Sequence, residues 1–286
     1  MRSIIKYYLI CAFLCKSFSA FTSNPVDFRY ADSLYAANNF KLAALEYERA
    51  FYYSHDNLSR CEALLKKSYC YKSSGDYEKG AQTLQRIGLS DMPDSVQYNV
   101  RYEHALDCFL SGNYEETDNL LMQINYYTKN KTLINNCLFL DILNKNELQK
   151  WDEADSVFYI YIKAKNISMD SDSIHDLLRK PKLLNPKTAK ILSYIIPGSG
   201  QMYTGHIFRG ISSIILQGSF ATYTFYSFKN SYYLSGLLTG FGIFQMLYFG
   251  GAKYAYYLAE RENLKKIMLY NSKIREFILK QEKINN

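Results

Sequence analysis

The chain has almost none of the residue patterns that chemistry at a protein site requires. His55, His104, His175 and His206 stand at no metal-ligand spacing, and the six cysteines include no Cys-x-x-Cys pair. There is no phosphate loop ending in Gly-Lys-Ser/Thr, and Gly198-Ser199-Gly200 lacks the leading glycine of a nucleophile elbow. The paired acids Glu115-Glu116 and Asp152-Glu153 fall where helices are expected to start, and there carboxylates complement the helix dipole. These absences leave no candidate catalytic residue, metal ligand or cofactor site, and the expectation is a protein that is not an enzyme.

Acids are scarce where bases are plentiful. Residues 179–286 hold 15 Lys and Arg against four Asp and Glu, whereas residues 21–178 hold 16 against 23. The net charge of +7 therefore hides an acidic middle beside a basic end. That basic end is also the most apolar third, which favours anionic lipid head groups over nucleic acid as the partner. A length of 286 residues allows about two domains.

Residues 1–20 read as a secretion signal: Arg2 and Lys6, an apolar centre over residues 7–14, then small residues. An uncleaved anchor is the alternative, since Phe18 stands where a small side chain is preferred. Beyond it lie Cys61, Cys70, Cys108 and Cys137, read as buried free thiols; a Cys70–Cys108 disulfide between stacked helices is the other reading.

What is present is a repeat. Phe40, Tyr77, Tyr114 and Trp151 recur at a constant interval of 37, each closing a short polar turn and opening an amphipathic stretch. A fixed period in this range implies helical pairs that bury their apolar faces against one another. Nine residues before each aromatic stand Ala31, Ser68, Ala105 and Ile142; three after, Ala43, Gly80, Thr117 and Ala154; seven after, Tyr47, Leu84, Leu121 and Phe158. These positions resemble the signature of tetratricopeptide repeats, with a period longer than the usual one and the family's closing proline displaced or missing. The resemblance implies an all-α solenoid of four units over residues 27–166, whose first helices line a concave groove. In that phase the groove residues are Phe28, Tyr35, Leu65, Tyr69, Tyr102, Leu106, Phe109 and Phe139, a surface suited to a peptide or amphipathic helix of a protein partner. The other reading is that these rows are core, filled in part by the chain's own C-terminal helix.

Residues 167–188 read as a linker, with Pro181 and Pro186 excluding a long helix. Next comes Pro197-Gly198-x-Gly200-Gln201-x-Tyr203-x-Gly205, with Arg209 and Gly210 just beyond. It resembles small bacterial membrane domains built on such a turn, covering about residues 187–256. Residues 207–228 and 232–254 are each long enough to cross ~30 Å of hydrocarbon, so the membrane domain over 189–256 is read as a helical hairpin. A soluble, buried helix pair is the alternative. Gly236 and Gly240 form a small-xxx-small packing face. The glycine turn admits two readings, a lipid phosphate site beside Arg209 or a structural corner. Residues 257–286 read as a separate basic amphipathic helix, with Leu264, Ile267, Asn271, Ile274 and Ile278 on one seam.

The expectation is thus a multi-pass protein of the bacterial inner membrane with the repeats on the periplasmic side, although the basic flanks of the hairpin favour the opposite sidedness. The function expected is an adaptor that holds a protein partner in the cell envelope. A transport or lipid-handling component is the alternative, disfavoured because neither span contains an acid.

Overall fold

The structure, a computed structural model, describes residues 27–284; the segment read as a signal lies outside the described residues. The described residues are all-helical, with no strand among them. They divide into two units, Met1–Leu178 together with Arg275–Asn286, and Arg179–Ile274.

The first unit contains α1 (Arg29–Ala36), α2 (Phe40–Tyr53), α3 (Asn57–Ser73), α4 (Tyr77–Leu84), α5 (Asp94–Ser111), α6 (Tyr114–Tyr127), α7 (Lys131–Glu147), α8 (Trp151–Ala164) and α9 (Ser171–Leu177). From α1 to α8 each helix packs on the next. The four turn aromatics are the first residues of α2, α4, α6 and α8. Two residues before each, Asn38, Gly75, Gly112 and Gln149 take left-handed φ values of 60, 80, 89 and 58°. The following amide then reaches back to the preceding helix: Asn39 to Leu34, Asp76 to Tyr71, Asn113 to Cys108 and Lys150 to Lys145, every bond 2.9 Å. That bond satisfies a helix-end carbonyl and reverses the chain, so one turn geometry is built four times. Glycine adopts it freely, Asn tolerates it, and Gln149 holds it at a cost of order 1 kcal/mol or more.

All twelve positions spaced around the turn aromatics are buried. Small residues at nine before, where Ile142 of the fourth pair is the exception, and at three after let the two helices of a pair cross closely, and the bulky residue at seven after fills the space beyond. First helices of successive pairs also touch. Lys66 on α3 pairs with Asp32 on α1 at 3.0 Å, Lys72 on α3 with Glu103 on α5, and Cys137 on α7 donates to Tyr98 Oη on α5 at 3.5 Å.

The second unit contains α10 (Pro186–Ile195), α11 (Ser199–Tyr203), α12 (Ile207–Lys229) and α13 as far as Ile274, the residues of α13 from Arg275 on belonging to the first unit. This last helix starts at Tyr233–Ser235, widens into a π turn at Gly236–Phe241 and continues over Gly242–Ile284. Pro186 occupies the first turn of α10, where its missing N–H costs nothing, and Asn185 Oδ1 accepts from Thr188 N at 3.2 Å. α12 packs on the π turn. Ala252, Ala255 and Ala259 form a small-residue stripe on α13, and Ala255 and Ala259 cluster with Ala189 of α10.

Two boundaries differ from the sequence reading. The stretch read as linker contains α9, capped by Asp170 accepting from Ser173 N at 3.0 Å. The basic helix read over residues 257–286 is not separate, because the chain from Tyr254 to Ala259 contains no glycine or proline to end α13. The four cysteines are free and buried, and burial raises the thiols to about 12.

Candidate functional site

The eight groove residues occupy two environments. Phe28, Tyr35, Leu65 and Tyr69 on α1 and α3, including the residue before α1, are half-buried, whereas Tyr102, Leu106, Phe109 and Phe139 on α5 and α7 are buried. At the open end Phe28 lies against the Tyr47 ring at 6.2 Å with the Lys66 ammonium 4.7 Å from its centroid. At the other end Tyr102, 2 % exposed, stacks on Tyr98 at 5.9 Å.

The last turns of α13 pack on α8 and the end of α7. Phe277 packs on Phe158 at 5.6 Å, and Ile278 is fully buried. Glu282 accepts from Tyr161 Oη at 2.8 Å and from Lys165 Nζ at 3.1 Å, and Arg275 pairs with Glu147 at the end of α7. Burial raises the Tyr102 hydroxyl most, with further contributions from the Cys137 thiol, Glu103, Tyr98 and Glu282. The seam read on the sequence holds at Asn271, Ile274 and Ile278, which are buried, but not at Leu264, which is exposed.

A buried charge cluster lies one row away. Lys72 pairs with Glu103, and Asp107 stands beside them with neither carboxylate oxygen hydrogen-bonded. Burial works against the Lys72 ammonium, but Glu103 and Asp107 outweigh it and hold it charged. Burial pushes the Asp107 carboxyl up to about 8; Lys72 opposes the shift and Glu103 adds to it. Asp107 occupies the repeat position of Asn144, whose Nδ2 donates to the Tyr114 carbonyl at 3.0 Å. A protonated Asp107 presents the same kind of donor to the first turn of α4. Gly80 makes the room, since a Cβ there collides with Asp107 Oδ2. One acid inside the apolar run Ala105-Leu106-Asp107-Cys108-Phe109 was the only trace of this cluster in the sequence.

In the second unit the glycine motif is consumed by packing. Gly198, at φ 88°, lies against the Gly210 backbone, and a Cβ on Gly200 collides with the Ala189 carbonyl, Ser193 and Ala255. The amides of Ser199, Gly200 and Met202 donate to Ile196 O, Ser193 Oγ and Gly198 O. Gln201 accepts from Ser193 Oγ at 3.2 Å and donates to the Gly251 carbonyl at 3.0 Å. Tyr203 Oη accepts from Asn185 N at 3.2 Å, Arg209 donates to Tyr254 Oη at 2.7 Å, Pro197 is half-buried and Gly205 is exposed at φ 86°. Gly236 and Gly240 face Ser227, Phe228 and Thr224 of α12, so the two helices approach through backbone. These contacts are those of a structural corner, with the amides already occupied.

The outer surface of this unit is apolar. Phe208, Ile215, Phe225, Leu234, Leu238 and Met246 are all exposed, and Tyr233–Lys283 is the one helix among the described residues long and apolar enough to cross a membrane. Comparison with protein-family models, with curated proteins and with solved structures finds no match.

Proposed function

We propose that the chain is a membrane-anchored adaptor of the bacterial envelope: a stack of four tetratricopeptide-like helical pairs that binds a protein partner, tethered by a two-helix hairpin formed by α12 and the first half of α13. The observation that carries the reading is the exposed aliphatic and aromatic surface of α12 and α13 on the same chain as a four-fold repeated helical turn. A sheath of Phe, Ile and Leu of this extent is stable in lipid and costly in water. Repeated helical pairs supply an extended surface for a peptide or helix, and no catalytic centre is assigned to them. The basic residues of the last third favour anionic lipid. The repeats are placed on the periplasmic side, following the export segment read at the N-terminus.

Crosslinking and affinity capture of the intact protein, wild type against Leu65→Ala with Tyr69→Ala, tests the reading. Both residues lie on the half-buried face of α3, where Leu65 also packs against the cluster of Cys61, Met92, Val96 and Val100, so circular dichroism of the variant checks that the repeats stay folded. The variant is expected to lose its captured partner while remaining in the membrane fraction. An unchanged captured set contradicts the groove as binding surface. Protease cleavage of the repeats in intact spheroplasts supports the periplasmic placement, and protection contradicts it.

A further inference from the structure

We propose that the last turns of α13, residues 275–284, fill a helix seat on α8 and the end of α7, outside the eight groove positions, as a built-in competitor for a partner helix that presents an aromatic, an adjacent aliphatic residue and a carboxylate one turn further on. This rests on the adaptor reading and gives its partner a chemistry. Three contacts define what the surface selects. Phe158 takes the Phe277 ring, the fully buried position of Ile278 takes an aliphatic side chain, and Tyr161 with Lys165 clamp the Glu282 carboxylate at 2.8 and 3.1 Å. Two converging donors, one cationic, favour a carboxylate over a neutral amide at that place. Arg275 and Glu147 add an ion pair that fixes the direction in which the helix lies.

The seat differs from a continuous apolar core in being polar at its edges. Glu147, Lys165, Arg275 and Glu282 are only partly buried, so the ion pairs at the rim can exchange with water or with another helix. An occupied seat lowers the apparent affinity of any competing helix by the fraction of molecules in which the seat is vacant.

The test uses the full chain in phosphatidylcholine–phosphatidylglycerol nanodiscs and, as probe, a labelled synthetic peptide of residues 272–286. Binding is read by fluorescence anisotropy and helicity by circular dichroism. The chain carrying Phe277→Ala and Glu282→Gln is expected to bind the peptide at least about tenfold more tightly than wild type. A peptide carrying Glu282→Gln is expected to lose most of that gain. Equal binding by wild-type and variant chains, or none by either, overturns the proposal. If the double variant loses helicity, Glu282→Gln alone is used, with an expected gain of about threefold; loss of helicity there too makes the segment a structural cap and overturns the proposal. Capture of envelope proteins by the same chains separates the two readings. A peptide gain without any captured protein leaves the competitor standing and removes the adaptor, whereas capture without a peptide gain does the reverse.

Discussion

The two units both leave large apolar side chains in the open, but not the same ones. In the first unit they are mostly tyrosines, Tyr30, Tyr52, Tyr53, Tyr126, Tyr127 and Tyr159, whose hydroxyls are at home in water. In the second they are mostly Ile, Leu and Phe, among them Ile195, Phe208, Ile215, Phe225, Leu237 and Leu238, with seven exposed tyrosines beside them. Small residues are also put to different uses. Ala31, Ala43, Ala105 and Ala154 let side chains of paired helices interlock, whereas Gly198, Gly200, Gly236 and Gly240 bring backbone onto neighbouring groups. Under the proposed membrane anchoring, the difference is the one expected between a body held by the hydrophobic effect in water and one held by close backbone packing in lipid.

Substitutions in either unit sharpen or break this contrast. Phe158→Ala empties a fully buried position between α8 and the C-terminal turns, and is expected to cost about 3–5 kcal/mol in denaturant unfolding of the repeats. Membrane retention should not change; a loss of retention breaks the separation between the units. Gly200→Val drives a side chain into the Ala189 carbonyl, which cannot move aside, at an expected cost of about 1–3 kcal/mol. Faster tryptic cleavage after Lys187 and Lys190, with the repeats unaffected, is the readout.

A third expectation concerns pH. The folded Asp107 carboxyl lies at about 8 against an ordinary 3.8, raised by burial with Glu103 and opposed by Lys72, so the folded chain holds a proton that the unfolded chain releases. The contribution is complete below the ordinary value and is lost as pH rises toward 8. Wild type is expected to lose about 2 kcal/mol of repeat stability between pH 6 and pH 8, and Asp107→Asn, which copies Asn144, to flatten that slope. A slope that survives the substitution assigns it elsewhere. The smallest effect belongs to Glu48, held down to about 2 first by the Arg86 hydrogen bonds and then by Lys67. Glu48→Gln is expected to cost less than about 1 kcal/mol, and less again at high salt.

Most of the first unit was legible because its information is local. The twelve positions at fixed offsets from the turn aromatics are buried as the 37-residue phase requires, while of the aromatics themselves Tyr77 is buried and Phe40, Tyr114 and Trp151 are half-buried. Asn38 and Gln149 were less legible as turn residues, since only the glycines announce a left-handed conformation. Of the eight positions read as a groove, four are half-buried and four are buried. A periodic pattern tells which face of a helix is apolar but not how deeply it is buried: Tyr102 and Phe139 are buried, whereas Leu65 and Tyr69 are half-buried. Glu282, separated from Tyr161 by 121 positions, leaves no periodic trace. In the second unit the glycines and Gln201 marked the corner, while the alanine stripe at Ala252, Ala255 and Ala259 was present at helical spacing and passed unread.

Spin labels placed singly at Tyr52, Tyr126, Phe225 and Leu238 in lipid nanodiscs test the division most directly, since all four side chains are exposed in the chain itself. Phe225 and Leu238 are expected to relax with oxygen and to be shielded from a water-soluble nickel chelate, and Tyr52 and Tyr126 to show the opposite. Nickel access at all four sites contradicts a lipid-embedded second unit beside a water-facing stack of repeats.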